Sequence, residues 1–282
     1  MNHRDSARDI GEGSLEAHFQ PQYTVAGELA GVEALARWRT VSGELLLPDD
    51  FLPAIQRAGL SRVLAQRMVD QAAYLAVCWR AKNGSTLPVA VNVDPGTIIS
   101  SSFLAYLEMA VRRDRISPDV LVIEVLEESM DGQARELTSR LRRFRRRGYR
   151  ISIDDFGTGG AGLQRLLDVP ADEVKIPGCF VKGVGTDCRK AAVVEGMVAM
   201  AERMGMTVVL EGVERAEDME WAARLRAQIR MQGFLLARPM PMDQLIRSKG
   251  AVNGGARLGR DMSIGFQGRH ASQVTTPFGS TM

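Results

Sequence analysis

The sequence predicts an α/β fold in which parallel strands close into a barrel of the (β/α)8 type. Between about Ser14 and Ile246, short apolar β-type runs alternate with helical stretches, which is the pattern of a parallel sheet. A polar or charged residue stands at or near the end of each run, as expected where several strands contribute to one mouth. A doubly wound sheet would normally carry a glycine fingerprint, and the chain has no GxGxxG or P-loop pattern. The barrel is therefore favoured.

Seven apolar runs are predicted as strands, and helical stretches separate most of them. The runs are short and apolar on both faces, as buried parallel strands are. The clearest helical stretches span residues 60–82 and 191–205. In chain order the strand candidates are LAGVEAL (29–35), PVAVNV (88–93), VLVIEVL (120–126), RISIDDF (150–156), EVKI (173–176), TVVLEGV (207–213) and MQGFLLA (231–237).

The polar residues at the strand ends supply the functional hypothesis. A single glutamate in such a place is more often solvated or paired with a basic side chain than catalytic. Adjacent carboxylates such as Asp154 and Asp155, however, need something to neutralise them, most commonly a shared proton, an arginine or a metal. Ligation by oxygen alone suits Mg²⁺ or Mn²⁺ rather than zinc. In order, the strand-end residues are Glu33, Asn92, Glu124, Asp154, Asp155, Lys175, Glu211 and Gln232.

The overall charge gives no nucleic-acid signature. The net charge is +2, with acids and bases nearly balanced. One basic run, RLRRFRRRGYR (140–150), is interpreted as the solvated face of a helix ending at Gly148, with Leu141 and Phe144 on the buried side. A phosphate- or partner-binding patch is the alternative. Direct DNA binding is disfavoured because no helix-turn-helix or zinc pattern accompanies the run.

Cysteine, histidine and apolar content exclude several classes of protein. The cysteines are three in number and lack CxxC spacing, which argues against a disulfide framework and a zinc site, and the histidines show no metal-ligand spacing. The N-terminus lacks the apolar stretch of a signal peptide, and no apolar run approaches membrane-spanning length. We expect a soluble, cytoplasmic protein without membrane contact. Its predicted parts are a disordered leader (1–13), one domain (14–247) and a flexible tail rich in Gly, Ser and Thr (248–282).

Eight short motifs, read in order, carry a resemblance to a known family. They are FQPQY (19–23), GVEALARW (31–38), NVDPGTI (92–98), IEVLEES (123–129), IDDFGTG (153–159), VKI (174–176), LEGVE (210–214) and QGFLLARP (232–239). Together they resemble the EAL domain family over roughly residues 14–246. The resemblance implies a modified TIM barrel, the EAL fold. It also implies a phosphodiesterase that hydrolyses the bacterial second messenger cyclic di-GMP to linear pGpG with two Mg²⁺ or Mn²⁺ ions.

The resemblance also implies a role for each site residue. One ion would be held by Glu33, Asn92, Glu124 and Asp154, and the other by Asp154, Asp155 and Glu211. Lys175 would act in catalysis by orienting the attacking water, and Glu211 is also assigned as catalytic. Ligand contacts would come from Gln20, Leu35 and Arg37, and support from Glu127, Glu214 and Gln232. Glu127 would anchor the glycine-rich loop after Asp155, near which family members tend to pair, so we expect a homodimer.

Three departures from the family pattern leave a second interpretation open. The KID lysine strand of the family ends here in Pro177, its loop serines are Ala161 and Gly162, and the threonine of its LExTES segment is Leu126. Proline offers neither charge nor a backbone N–H. The alternative is a degenerate EAL protein that acts as a cyclic di-GMP receptor or, through a regulatory protein partner, on gene expression, for example of virulence or motility genes. The lack of a recognisable sensory or cyclase domain adds to that expectation.

Overall fold

The computed structural model describes residues 14–127, 134–159, 166–225 and 228–248. The predicted leader lies outside these ranges, as does the predicted tail beyond Ser248. Ala161 and Gly162 also lie outside them.

Eight strands close into a barrel, which confirms the predicted fold class. The strand bounds are β1 Ser14–Thr24, β2 Leu29–Arg39, β3 Leu45–Leu46, β4 Val89–Asn92, β5 Leu121–Leu126, β6 Arg150–Asp154, β7 Glu173–Ile176, β8 Thr207–Leu210, β9 Ile229–Met231 and β10 Met240–Pro241. Strand β2 and strands β4 to β9 are mutually parallel in the barrel, and β1 closes the ring by pairing antiparallel with both β2 and β9. Two short strands, β3 and β10, flank the barrel.

The helices surround the barrel. Their bounds are α1 Pro48–Arg57, α2 Ser61–Asn83, α3 Pro95–Ile99, α4 Ser101–Asp114, α5 Ala134–Arg146, α6 Gly178–Val181, α7 Cys188–Arg203, α8 Ala216–Ala222 and α9 Met242–Arg247. The main apolar core joins the barrel to helices that include the two predicted ones, α2 and α7, whereas Phe51 and Ile55 of α1 pack with Trp38 in a separate small cluster. In the part of the chain that the structure describes, no helix has both the length and the apolar character needed to cross a bilayer.

Several strand boundaries differ from the predicted runs. Strands β6 and β8 stop before Asp155 and Glu211, and the differences at β2 and β9 also move a site residue. Strand β2 is longer than its apolar run because β1 pairs with it from Ser14 to Tyr23, so Glu33 lies in the middle of a strand rather than at its end. Strand β9 begins before the predicted run and stops at Met231, which leaves Gln232 just beyond it. Just after the strand, Gly233 lies so close to Val213 that a Cβ there would clash with the Val213 carbonyl oxygen, so this approach requires glycine.

The basic run forms the solvated helix face that its pattern predicts. Leu141 and Phe144 of α5 are buried in the core, while the arginines between them are exposed. The helix ends at Arg146, and Gly148 follows with a φ of 91°, a left-handed conformation that glycine adopts without strain. The neighbouring Arg145 forms an ion pair of 3.0 Å with Asp172.

Candidate metal centre

Lys175 lies at the middle of the predicted site. Its side chain is 1% exposed and projects from β7 into the barrel, where its ammonium contacts four carboxylates. The distances from Lys175 Nζ are 3.1 Å to Glu33, 3.3 Å to Glu124, 3.2 Å to Asp154 and 2.8 Å to Glu211. These acids come from or directly follow four different strands, β2, β5, β6 and β8. The convergence expected from the strand ends is therefore present.

The cluster contains more carboxyl groups than the single ammonium of Lys175 can neutralise. Burial by itself would lower the pKa of Lys175, but the surrounding carboxylates raise that pKa well above its ordinary value. Burial, together with repulsion from Glu33, raises the pKa of Glu124, and burial raises the pKa of Glu211 to about 7. One ammonium thus faces four acids, two of which resist ionisation. Additional positive charge would stabilise their ionised forms.

Two carboxamide side chains donate hydrogen bonds to the carboxylate of Glu33. Asn92, the last residue of β4, donates to Glu33 Oε1 at 2.8 Å, and Gln232 donates to Glu33 Oε2 at 2.7 Å. Gln232 also donates to Gln20 Oε1 at 3.1 Å. Although burial would raise the pKa of Glu33, Lys175 and these amide donors lower it below its ordinary value. Glu33 is therefore held as a carboxylate.

The geometry around Asp154 fits a divalent cation. Carboxylate oxygens of Asp154, Asp155 and Glu211 lie within 4.8 Å of one another. Asp155 adopts a φ of 56°, uncommon for a residue with a side chain, and its N–H donates to Asp154 Oδ1 at 3.0 Å. Both oxygens of Glu124 are buried and accept no hydrogen bond from the described residues, and Oε1 has only its ion-pair contact of 3.3 Å with Lys175. Clustered carboxylates that have oxygens without hydrogen bonds suit a hard cation such as Mg²⁺ or Mn²⁺.

The carboxylate of Glu127 accepts backbone hydrogen bonds from the turn that follows Asp154 and Asp155. Its Oε2 accepts hydrogen bonds from the N–H groups of Gly157 at 2.7 Å and Gly159 at 3.4 Å. A side chain at position 159 would meet Glu127 Oε1 at 2.8 Å, so the turn can approach the carboxylate only because this residue is glycine. The predicted anchoring contact is present at these two glycines, while the altered loop positions beyond them lie outside the described residues.

A cavity of about 540 Å³ opens beside the acidic cluster. The candidate ligands Glu33, Asn92, Glu124 and Asp154 line one side of it, together with Leu35. Apolar residues of α1 and α2 line much of the remainder. A pocket with a polar floor and apolar walls is typical of a binding site for a small organic molecule.

Two other predicted site residues, Arg37 and Glu214, make contacts outside the acidic cluster. Arg37 is buried two residues beyond Leu35 on β2, and its Nη1 donates to the carbonyl oxygen of Ala36 at 2.8 Å. Glu214 is partly exposed and forms an ion pair of 2.9 Å with Lys182. The ligand contact of Arg37 and the supporting role of Glu214 stay predictions.

Two of the departures from the family pattern meet at the mouth. A second cavity, of about 440 Å³, is lined by Leu126, Asp155, Thr158, Pro177 and Cys179. Pro177 and Leu126 therefore share a pocket with a candidate metal ligand. Pro177 directly precedes α6, and its extended backbone conformation (φ −71°, ψ 160°) is one that other residues can adopt.

Comparison with known proteins identifies the family. The sequence profile of the EAL domain matches residues 3–239. The chain belongs to the EAL domain family. A solved structure described as the MucR phosphodiesterase in complex with c-di-GMP superposes with a TM-score of 0.79 at 32% identity, over 86% of this chain and 99% of that one.

Two curated EAL proteins from Pseudomonas aeruginosa are similar in sequence. The bifunctional diguanylate cyclase/cyclic di-GMP phosphodiesterase MucR is 33% identical over 235 residues, which is 83% of this chain and 34% of MucR. The cyclic di-GMP phosphodiesterase RocR is 31% identical over 239 residues, which is 84% of this chain and 60% of RocR. The chain thus spans about a third of one relative and three fifths of the other.

Sequence reasoning missed polar residues deeper in the EAL barrel. Glu173 is fully buried at the start of β7, where Arg230 of β9 forms an ion pair of 3.1 Å with it. Gln22 is buried on β1 and donates to Gln232 at 3.1 Å. The spacing of Gln20 and Gln22 was an available signal, because residues two apart on a strand share one face. Arg230 gave no such signal, since it precedes the apolar run that was predicted as a strand.

Proposed function

We propose that this EAL domain is a metal-dependent phosphodiesterase that hydrolyses cyclic di-GMP to linear pGpG. The observation that carries the proposal is the meeting of Glu33, Glu124, Asp154 and Glu211 around Lys175, beside an open cavity that three of these acids line. The similarity to MucR and RocR, both named for cyclic di-GMP phosphodiesterase activity, supports the choice of substrate.

The donor set divides into two groups that share Asp154. Glu33, Asn92 and Glu124 would hold one Mg²⁺ or Mn²⁺ ion with Asp154, and Asp155 and Glu211 would hold the other with it. When bound, such a pair of ions acidifies water and neutralises charge on phosphodiester oxygens. The oxygens of Glu124, which accept no hydrogen bond from the described residues, and the tight grouping of Asp154, Asp155 and Glu211 support this division.

The side chains of the chain itself would place and retain the reactants. Lys175 keeps its proton among the carboxylates that surround it, and from this buried position it would orient the attacking water. Leu35 lines the cavity and would contact a guanine base, while Arg37 and Gln20 would contact polar groups of the dinucleotide. Holding substrate and water in fixed geometry lowers the entropic part of the activation barrier.

A purified-protein assay tests this function. Incubation with cyclic di-GMP and Mn²⁺ should yield pGpG, and Glu33→Ala should abolish its formation. Folded wild-type protein that forms no pGpG with either Mn²⁺ or Mg²⁺ would refute the proposal. Circular dichroism on the same samples establishes that each protein is folded.

The alternative function is that of a cyclic di-GMP receptor that does not turn the ligand over. Pro177 and Leu126 favour it, because they bring an apolar surface to the cavity beside Asp155 where the family pattern has an acid and a hydroxyl. Calorimetry with cyclic di-GMP in the absence of divalent ions separates the two functions. Tight binding with unchanged ligand recovered afterwards supports the receptor. Absence of binding and of turnover leaves only a role through a protein partner.

Restoring the acid at position 177 is expected to increase turnover. Pro177→Asp places a carboxylate in the cavity that Asp155 lines, and the residue directly precedes α6, where aspartate is a favourable N-cap. Because residues adjoining metal ligands commonly change affinity or activity by about 10- to 100-fold, we expect at least a tenfold gain in initial rate with Mn²⁺. Pro177→Ala is the matched control, and an equal gain in both variants would contradict the explanation.

A further inference from the structure

A hydrogen-bonded row of polar side chains runs through the barrel interior, from its base to the candidate metal centre. We call it the lumen row, and its members are Glu173, Arg230, Gln22, Gln232 and Glu33. At the base, Arg230 Nη1 donates to Glu173 Oε2 at 3.1 Å and to Gln22 Oε1 at 3.5 Å. Gln22 Nε2 then donates to Gln232 Oε1 at 3.1 Å, and Gln232 Nε2 donates to Glu33 Oε2 at 2.7 Å. Two amides thus connect a guanidinium to a candidate metal ligand.

The two ends of the lumen row determine how both amides are oriented. A guanidinium can only donate hydrogen bonds, and an ionised carboxylate can only accept them. Arg230 therefore requires the oxygen of Gln22, which turns the NH₂ group of Gln22 toward Gln232. Gln232 accepts that bond with its oxygen and turns its own NH₂ group to Glu33. If either amide flipped, donor would face donor or acceptor would face acceptor at both of its contacts in the row.

Burial makes the orientation of the amides energetically significant. Gln22 and Gln232 are 1% and 5% exposed, so water cannot readily replace a lost partner. Gly31 lies opposite Gln22 in the β1–β2 ladder, and a Cβ there would lie 2.9 Å from Gln22 Oε1 and 3.2 Å from Arg230 Nη1. The glycine therefore provides the space in which the contact between Gln22 and Arg230 forms.

We infer that Arg230 is a positioning residue, which acts through Gln22 and Gln232 to keep a hydrogen-bond donor aimed at the carboxylate of Glu33. Arg230 is fixed in turn by its ion pair with Glu173. Without Arg230, Gln22 can reverse and turn its oxygen toward the oxygen of Gln232. Gln232 then loses the donor that holds its oxygen, and only the contacts of its NH₂ group with Glu33 and Gln20 fix its orientation. The consequence for metal binding rests on the proposed function, whereas the orientation of the amides does not.

Four variants separate this role from a general effect on stability. Arg230→Met removes the donor, and Arg230→Lys restores one, since the contact uses a single nitrogen. Gly31→Ala displaces the oxygen of Gln22 without removing a charge. The matched control is Arg150→Met, because Arg150 lies 4.0 Å from the same Glu173 oxygen but makes no hydrogen bond to Gln22 in the described residues.

Two measurements report on the lumen row. The first is the side-chain NH₂ resonances of ¹⁵N-glutamine in the metal-free protein, with Gln232 assigned by its loss in Gln232→Met. We expect a wild-type Gln232 proton shifted downfield by its bond to Glu33, a loss of that shift in Arg230→Met and Gly31→Ala, and its retention in Arg230→Lys and Arg150→Met. The second is Mn²⁺ affinity by calorimetry, which should fall about tenfold in the same two variants.

Each outcome decides the inference. An unchanged Gln232 resonance in folded Arg230→Met, or an equal loss in Arg150→Met, would overturn it. If Arg230→Met does not fold because Glu173 is left as a buried unpaired charge, Arg230→Met with Glu173→Met removes both charges, and such a replacement commonly preserves the fold. If the wild type binds Mn²⁺ but makes no pGpG, the proposed function fails while the resonances still test Arg230.

Discussion

Asp154→Asn is expected to reduce hydrolysis of cyclic di-GMP by at least about a thousandfold, equivalent to roughly 4 kcal/mol of transition-state stabilisation. The substitution retains the size of the side chain and an oxygen that can accept the N–H of Asp155. It removes the charge that the two proposed metal positions share. The measurement is the initial rate of pGpG formation at saturating Mn²⁺, together with the Mn²⁺ affinity of the variant.

A matched control distinguishes this loss from a general effect of replacing aspartate. Asp243 lies on α9 with its side chain 65% exposed and paired with Arg247, so Asp243→Asn should leave the rate unchanged. Asp154→Asn that retained more than a tenth of the wild-type rate at the same Mn²⁺ concentration would contradict the shared-ligand assignment.

Lys175→Met is expected to destabilise the metal-free protein by about 3–5 kcal/mol, the usual cost of removing one partner from a buried ion pair. Without the ammonium, the carboxylates of Glu33, Glu124, Asp154 and Glu211 lose their shared counter-charge in a buried site. Divalent cations should recover much of the loss, because ligands that bind only the folded state stabilise it. Urea unfolding in EDTA and in Mn²⁺ measures both effects.

The control for this prediction is a lysine at the surface. Lys182 is 53% exposed and pairs with Glu214, so Lys182→Met should change the free energy of unfolding by less than about 1 kcal/mol. If Lys175→Met were as stable as the wild type in EDTA, Lys175 would not provide the counter-charge that stabilises the four acids in the metal-free protein. If Mn²⁺ failed to stabilise the variant, the acids would not form a cation site.

The sequence predicted the barrel and the meeting of its acids because both follow from local patterns. Apolar runs mark the parallel strands, and a residue at the carboxyl end of such a strand points into the common mouth. The antiparallel closure by β1 was not predicted from periodicity, since a strand pairing depends on a partner elsewhere in the chain. For that reason Glu33 was expected at a strand end, whereas it lies within β2.

The ion pair between Arg230 and Glu173 inside the barrel could not be predicted from local patterns for a related reason. Arg230 and Glu173 come from different strands, and only the closure of the barrel brings them within 3.1 Å. Glu214 followed Glu211 in a motif, but the motif does not specify which side chain turns inward. The structure pairs Glu214 with Lys182 instead. The sequence motifs thus predicted which strand-end residues lie together better than they predicted the contact partner of each side chain.

The most direct measurement is the anomalous diffraction of crystals soaked in Mn²⁺ with a non-hydrolysable cyclic di-GMP analogue. Two manganese peaks are predicted, one among Glu33, Asn92, Glu124 and Asp154, and one among Asp154, Asp155 and Glu211. Crystals that show the analogue bound but no manganese at these carboxylates would contradict the claim that the acids at the barrel mouth bind divalent cations.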